Sequence, residues 1–330
     1  MDNRKVQELG GGTAFISLPK SWIKKNQIKR GNILSIEILK DDSLIIYSPN
    51  KIIDLKKIEI TYPNLDIDKI INEVIGAYLL GYDIIQIKGK QRLNFKDMKQ
   101  IIQTVRHLVG LEIIEEDANS ITTQFLLESE TLNPKKLLER MHGLVKEMYK
   151  DAIISLLEND DQLVDVAIER DEEVDRLYFL LVRLIRSNIL NTKLSIKFDL
   201  LSIDYLDYRV AANILETIGD NSVELAITVK ELRTMTLKSQ LKKLLHEFVI
   251  ELNDIQDLSI NFFLLKKISD RNNVINKYNK LNQKLYNIEN LMLDKKNTVI
   301  RSSWTLLTTL DKILKSMKDI TDLAVPIKIT

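Results

Sequence analysis

Residues 4–49 read RKVQELGGGTAFISLPKSWIKKNQIKRGNILSIEILKDDSLIIYSP. Two short β-prone runs, Arg4 to Leu9 and Thr13 to Leu18, flank the turn Gly10-Gly11-Gly12. Pro19 opens a short helix from Lys20 to Asn26, because its fixed φ suits a first helical turn. Gly31 closes that segment, and a hairpin follows, Asn32 to Lys40 and Ser43 to Ser48 around Asp41-Asp42. A β-β-α-β-β order in so few residues cannot bury a core of its own, so a partner chain is expected. The glycine triplet is no phosphate cradle, since no Gly-Lys-Ser/Thr follows it and no helix begins there.

Charge is concentrated in the first half of this stretch. Residues 1–30 hold seven cations, Arg4, Lys5, Lys20, Lys24, Lys25, Lys29 and Arg30, against Asp2 and Glu8. Residues 31–50 hold Lys40 against Glu37, Asp41 and Asp42. On charge alone, a solvated basic surface would look the same. The strand–LPK–helix–Gly–hairpin string, however, resembles the AbrB/MazE/SpoVT DNA-binding domain, the swapped-hairpin barrel. That resemblance implies two chains interleaved into one β-barrel, a homodimer that grips double-stranded DNA with the seven basic residues. Phosphate neutralisation by Lys and Arg releases counterions and gives a steep salt dependence. Arg4 is the leading candidate for base reading, because its fork can bond guanine bidentately.

The 330 residues suggest two or three domains. With 45% apolar and 29% charged residues the composition is that of a globular protein, and the net charge of +1 averages a basic head with acidic patches further on. The chain has no cysteine, which removes disulfides, thiolate metal sites and cysteine nucleophiles and suits a reducing cytoplasm. Asp2, Arg4, Lys5 and Glu8 leave no signal-peptide core, and no apolar run approaches the roughly 18–20 residues of a membrane span. The expectation is a cytoplasmic protein that is not integral to a membrane. Five prolines and ten glycines point to long uninterrupted helices.

From about residue 51 the pattern changes. Lys57 to Tyr62 reads as a strand and Asp66 to Leu80 as a helix, with Ile67, Ile70, Ile71, Val74 and Ala77 on one side. Asp83 to Lys88 alternates as a strand does, Phe95 to Val109 is helical, and Leu111 to Glu115 with Ile121 to Leu127 makes a hairpin around Asp117-Ala118-Asn119. This βαβαββ order predicts a small α+β module with helices on one sheet face. His107 stands alone beside Arg106 and reads as structural, and the module as a connector or dimer-forming element.

From Asn133 the period is helical. The first helix carries Leu137, Leu138, Met141, Leu144, Val145, Met148, Ala152 and Leu156 at i, i+3, i+4, i+7 spacing. The second, about Asp161 to Leu190, carries Val174, Leu177, Tyr178, Leu181, Leu184 and Ile185. The third, about Leu201 to Leu232, carries Ile203, Leu206, Val210, Ile214, Ile218, Leu225 and Val229. The pattern then restarts: Leu237 to Leu265, Ile268 to Met292 and Ser303 to Val325 correspond in turn to the three, sharing a Met141-His142 and Leu245-His246 step. The strings AIERDEEVDRLYFLLVR (167–183) and LETIGDNSVELA (215–226) resemble the PhoU phosphate-uptake regulators, over roughly residues 133–325. The fold class expected is multidomain α+β: a swapped-hairpin barrel head (1–50), a small α+β middle module (51–130) and a six-helix PhoU-like bundle of two three-helix repeats (131–330).

In PhoU proteins, E/D-x-x-x-D motifs hold iron, zinc or other metal clusters. Carboxylates four apart share a helix face and can converge on one cation. The pairs that match are Asp171 with Asp175 and Glu216 with Asp220, and Glu147 with Asp151 has the same spacing. All-oxygen sites favour hard ions such as Mg²⁺, Mn²⁺ or Fe. In a chain with 47 acids such pairs also arise on ordinary solvated faces. The second repeat departs from the pattern: Leu314 and Lys318 stand where Glu216 and Asp220 stand, and Asn272 to Ile275 replaces most of the acidic run of the second helix.

The joined resemblances imply a DNA-binding transcriptional regulator of phosphate uptake or homeostasis, with a metal- or partner-responsive body. The alternative is a regulator that acts by protein contacts on a phosphate transporter ATPase or another regulatory protein, its head a dimer clasp. No Gly-rich nucleotide loop, nucleophile motif or His-Cys metal set supports an enzyme.

Overall fold

The computed structural model describes residues 3–9, 12–38, 42–48, 55–62, 66–128, 131–190, 197, 198, 200–233, 236–265, 270–292 and 300–324. Gly10 and Gly11 of the first turn, Lys40 and Asp41 of the hairpin, Ile268 and Val325 lie outside the described residues. So do residues 49–54 and 129–130, where the sequence reading sets its domain boundaries. The chain forms two compact units, Met1–Leu55 and Lys56–Thr330.

In the first unit β1 (Gln7–Leu9) pairs antiparallel with β2 (Thr13–Phe15), Gln7 opposite Phe15. Helix α1 (Lys20–Lys25) follows Pro19, and Asn26 Nδ2 donates to Trp22 O at 2.9 Å to close it. Gly31 has φ +92°, a left-handed conformation that the chain needs in order to leave the helix and enter the hairpin. Strands β3 (Ser35–Ile38) and β4 (Leu44–Tyr47) pair antiparallel, with Ile36 opposite Ile46 and Ile38 opposite Leu44. Within one chain the described strands make two separate two-stranded sheets. None of their described side chains is buried, and Val6, Phe15, Ile16, Ile33, Ile36, Ile38 and Leu44 are exposed. Among its described residues the unit has apolar side chains but no buried core.

The second unit opens with β5 (Lys57–Tyr62), α2 (Ile67–Leu79), β6 (Ile84–Gly89), α3 (Phe95–His107), β7 (Leu111–Glu116) and β8 (Ser120–Phe125). The sheet order is β5-β6-β8-β7; β5 and β6 run parallel and the other pairs antiparallel. Asp66 and Asn94 cap α2 and α3 by accepting from Asp68 N (3.0 Å) and Lys96 N (2.8 Å). Ile70, Val74 and Tyr78 of α2 and Ile101 and Val105 of α3 are buried with Ile60, Ile85, Ile87, Leu111 and Ile121 of the sheet. This core also takes in Leu180 and Leu184, which belong to a long helix further on.

That helix is one of a set: α4 (Pro134–Glu158), α5 (Asp161–Leu190), α6 (Ser202–Leu232), α7 (Ser239–Leu265), α8 (Asp270–Met292) and α9 (Ile300–Leu323). Asn133 caps α4 by accepting from Lys135 N at 2.9 Å, and Asn159, at φ +59°, ends it in a left-handed turn that leads straight into α5. Helices α4, α5 and α6 pack on one another; α9 packs on α6, α7 and α8; and α4 also packs on α7. The two triads share one apolar core. A polar seam joins α4 to α7. His142 Nε2 lies 2.9 Å from Asp257 Oδ1, Lys146 Nζ donates to both Asp257 oxygens at 2.9 Å, and Gln256 Nε2 lies 3.0 Å from His142 Nδ1.

One expected stripe is displaced. Ile203, Leu206 and Val210 of α6 are exposed, whereas Tyr205, Tyr208, Ala211, Ala212, Leu215 and Ile218 are buried. The first half of α6 has apolar residues on two faces. The face with tyrosines and alanines wins because alanines admit a close neighbour and Tyr208 packs on Phe263, ring centroids 5.3 Å apart. No helix among the described residues is long and apolar enough to cross a membrane.

Candidate metal centre and nucleic-acid interface

Helix α5 carries Asp171 and Asp175 one turn apart, and α6 carries Glu216 and Asp220 in the same relation. The helices come together there because of Gly219. A Cβ at that position would stand 3.0 Å from Asp171 Oδ1 and 3.5 Å from Val174 Cγ1. The four carboxylates therefore meet across a close helix contact, and their acidities show it. Burial, then the charges of Asp175 and Asp220, push Asp171 up to about 6. Burial and Asp220 raise Asp175, against the opposing pull of His107. Glu216 is raised by burial and then by Asp220, Asp175 and Asp171, with Arg209 opposing. Asp171 Oδ1 is buried with no hydrogen-bond partner among the described residues.

The carboxylates are close enough for their charges to raise Asp171, Asp175 and Glu216, but not close enough to chelate. Among the described residues no three His, Cys, Asp or Glu side chains stand in an arrangement that could hold a metal ion. Coulomb repulsion acts over many ångströms, whereas a cation needs oxygens at roughly 2.0–2.6 Å. The donor set suits a hard cation in its chemistry, and the orphaned Asp171 oxygen suits one too. The side chains would have to draw inward to enclose it.

The third pair is not part of this cluster. Glu147 accepts from Lys150 Nζ at 2.8 Å, and Asp151, nearly buried, pairs with Arg170 of α5. A cation of the protein already neutralises each, so Glu147 and Asp151 stand apart from the four. His107, read as structural, lies against α5: Arg176 Nε donates to its carbonyl at 3.3 Å, its Nδ1 lies 3.4 Å from Glu172 Oε1, and its ring meets Phe179 edge-on.

In the first unit Arg4, Lys5, Lys20, Lys24, Lys25, Lys29 and Arg30 are all exposed. Lys20, Lys24 and Lys25 occupy α1, which has no acid in its first turn and is anchored by half-buried Trp22 and Ile23. Arg4 and Lys5 precede β1, and Lys29 and Arg30 follow α1, the first of these held by Lys29 N donating to Asn32 Oδ1 at 2.7 Å.

The chain thus has two parts, a small β unit with a basic helix and a larger unit whose helical body carries a carboxylate cluster. Comparison with known families assigns the parts. Residues 138–229, which span α4 to α6, match the PhoU domain; residues 9–54 match the MazE bacterial antitoxin family, described as antidote-toxin recognition. The chain thus carries a PhoU domain behind a MazE/AbrB-type domain. It is 31% identical over 103 residues, 31% of its own length, to a phosphate-specific transport system accessory protein PhoU homolog of Aquifex aeolicus (strain VF5). The match spans about half of that relative, 47%. Among solved structures it is similar to PhoU from Streptococcus pneumoniae (TM-score 0.48, 16% identity, 58% of this chain and 91% of that one). It is also similar to PhoU from Pseudomonas aeruginosa (TM-score 0.47, 15% identity, 59% and 95%).

Proposed function

We propose that the protein is a homodimeric, DNA-binding regulator of phosphate uptake, whose helical body reports a metal- or partner-bound state to its head. The observation that carries this reading is the character of the first unit, which among its described residues has seven exposed cations, eight exposed large apolar side chains and no buried one. Ile36, Ile38, Leu44 and Ile46 share one face of the β3–β4 hairpin, because residues two apart, and residues directly opposite, point the same way. A second copy of this unit, interleaved as a swapped-hairpin barrel, would bury that face and present two basic sets to two turns of duplex. In the body, Asp171, Asp175, Glu216 and Asp220 would hold a hard cation such as Mg²⁺, Mn²⁺ or Fe, which would relieve their repulsion and draw α5 toward α6.

The test is a fluorescence-anisotropy titration of promoter fragments with the full-length protein across a salt series. The variant is K20E/K24E/K25E, whose exposed positions leave the fold intact. Tight, fragment-selective binding with a steep salt slope, lost in the variant, is the expected result. Weak binding that ignores sequence and survives the substitutions would sink the reading. That outcome would favour a second one, suggested by the Aquifex relative's description as a transport-system accessory protein: protein contact with a phosphate transporter, the head acting as a dimer clasp.

A further inference from the structure

A cleft of about 620 Å³ lies where the middle module meets the body, between α3 and α5. Arg106, His107 and Gln103 line it from α3, and Arg176, Phe179 and Glu172 from α5. Clefts between packed modules are where small ligands are commonly held.

Its hydrogen-bonding capacity is mostly unspent. Arg176 is clamped in place, Nε donating to His107 O and Nη1 to Glu173 Oε2, both at 3.3 Å. Its Nη2 has no partner among the described residues. Arg106 and the amide of Gln103 are exposed and likewise unengaged among the described residues. Glu173 is shared between Arg176 and Arg140, the latter at 2.6 Å, so three guanidiniums stand against Glu172 and Glu173. Glu172 is itself loosely held, 74% exposed and 3.4 Å from His107 Nδ1. The apolar part of the lining is Phe179, with its ring against His107, and Ile75 of α2.

We propose that this cleft binds the phosphate group of a small molecule, bridging the module and the body. Arg106 and Arg176 approach from two different helices and Gln103 adds a neutral donor. A tetrahedral dianion offers oxygens in all these directions, whereas a carboxylate offers two in one plane. The rings of Phe179 and His107 supply a surface for an organic body. This ligand site does not rest on the reading of the head; it adjoins the carboxylate cluster, since His107 and Glu172 both act on Asp175.

Isothermal titration of the full-length protein with phenyl phosphate, inorganic phosphate and benzoate tests it. Phenyl phosphate is expected to bind once per chain. Arg106→Ala, an exposed position, should weaken that binding about tenfold or more, the loss of one charge-assisted contact. Phe179→Leu should remove the preference for phenyl phosphate over the free ion. Inorganic phosphate binding as tightly as the ester, with the same dependence on Arg106, would identify the free ion as the ligand. No saturable binding of either phosphate, binding indifferent to Arg106, or benzoate binding as well as phenyl phosphate would overturn the proposal.

Discussion

The guanidinium of Arg183 lies with its Cζ 3.9 Å from the centroid of the Phe125 ring. Arg183 belongs to α5 of the body and Phe125 to β8 of the middle module. From this position Nη1 donates to the carbonyls of Tyr78 and Tyr82, each at 2.8 Å, and Nη2 meets Asp83 Oδ1 at 3.3 Å. The side chain is 3% exposed. One residue thus adds side-chain donors at the C-terminal end of α2, where Gly81 N already donates to Tyr78 O at 3.0 Å.

Arg183→Met keeps the bulk of the side chain and removes its donors, so the Tyr82 carbonyl and Asp83 Oδ1 lose the guanidinium while Tyr78 O keeps Gly81 N and Asp83 Oδ2 keeps Lys56 N. The expected cost is about 3 kcal/mol, the scale for breaking a buried charged contact. Urea denaturation measures it. Arg183→Lys should recover little of the loss, since one ammonium cannot reach three acceptors in a plane. A loss below about 1 kcal/mol in the methionine variant would show the contact to be incidental.

The carboxylate cluster sets a pH dependence of definite sign. Asp171 is raised from 3.8 to about 6, so the folded state binds its proton more tightly than the unfolded state. The resulting stabilisation is fully present below about pH 4 and is lost as pH rises through about 6. Asp171→Asn should therefore be more stable than the parent at pH 7.5, by about 1 kcal/mol after solvent screening, with the advantage vanishing near pH 4. Thermal melts of both proteins across pH 4–8, compared as a difference, isolate this group from His142, which burial shifts downward.

Addition of Mn²⁺ should raise the melting temperature of the parent and leave an Asp171→Asn/Asp175→Asn double variant unmoved. Equal shifts in both would place any bound cation elsewhere.

Gly219→Ala brings two opposing effects. Alanine gains about 1 kcal/mol of helix propensity over glycine. Its Cβ, however, meets Asp171 Oδ1 at 3.0 Å, which is the end of a side chain that can move. Stability is expected to stay level or rise, while the Mn²⁺ response falls because Asp171 is pushed out of place. Calorimetry with and without the metal separates the two; a destabilised protein with an intact metal response would contradict this account.

Ile36→Lys/Ile38→Lys places two charges on the apolar face of the β3–β4 hairpin, where the parent residues are 63% and 70% exposed. In a free monomer the change would be tolerated. If a second copy covers this face, each substitution forfeits about 1.5–3 kcal/mol of burial, and the dimer should dissociate at least tenfold more readily. Sedimentation equilibrium reads the outcome directly; an unchanged dimer would refute this interface.

Much of this architecture is legible from local pattern. The helices of the body and the order of the middle module follow from periodicity and from residue types that act within a turn or two. What the pattern conceals is contact between distant segments. Ile203, Leu206 and Val210 have the spacing of a core stripe, and only the packing of Tyr208 on Phe263 shows that another face is buried. Glu147-x-x-x-Asp151 looks the same in sequence as Asp171-x-x-x-Asp175, yet Arg170 reaches Asp151 from the next helix and removes it from the cluster. Gly219 lies inside a motif string, but its importance depends on how near α5 comes. Arg183 gave no signal at all, since its acceptors lie a hundred residues earlier in the chain.

Leu180 and Leu184 of α5 belong to the core of the sheet module, and Asp171 and Asp175 stand on the same helix nearer its start. Nine residues separate Asp175 from Leu184, about 14 Å along the axis. A helix gripped at both points behaves as a push-rod. A close-packed interior yields little, so a shift or roll of α5 produced at the carboxylates would arrive at the sheet nearly undiminished.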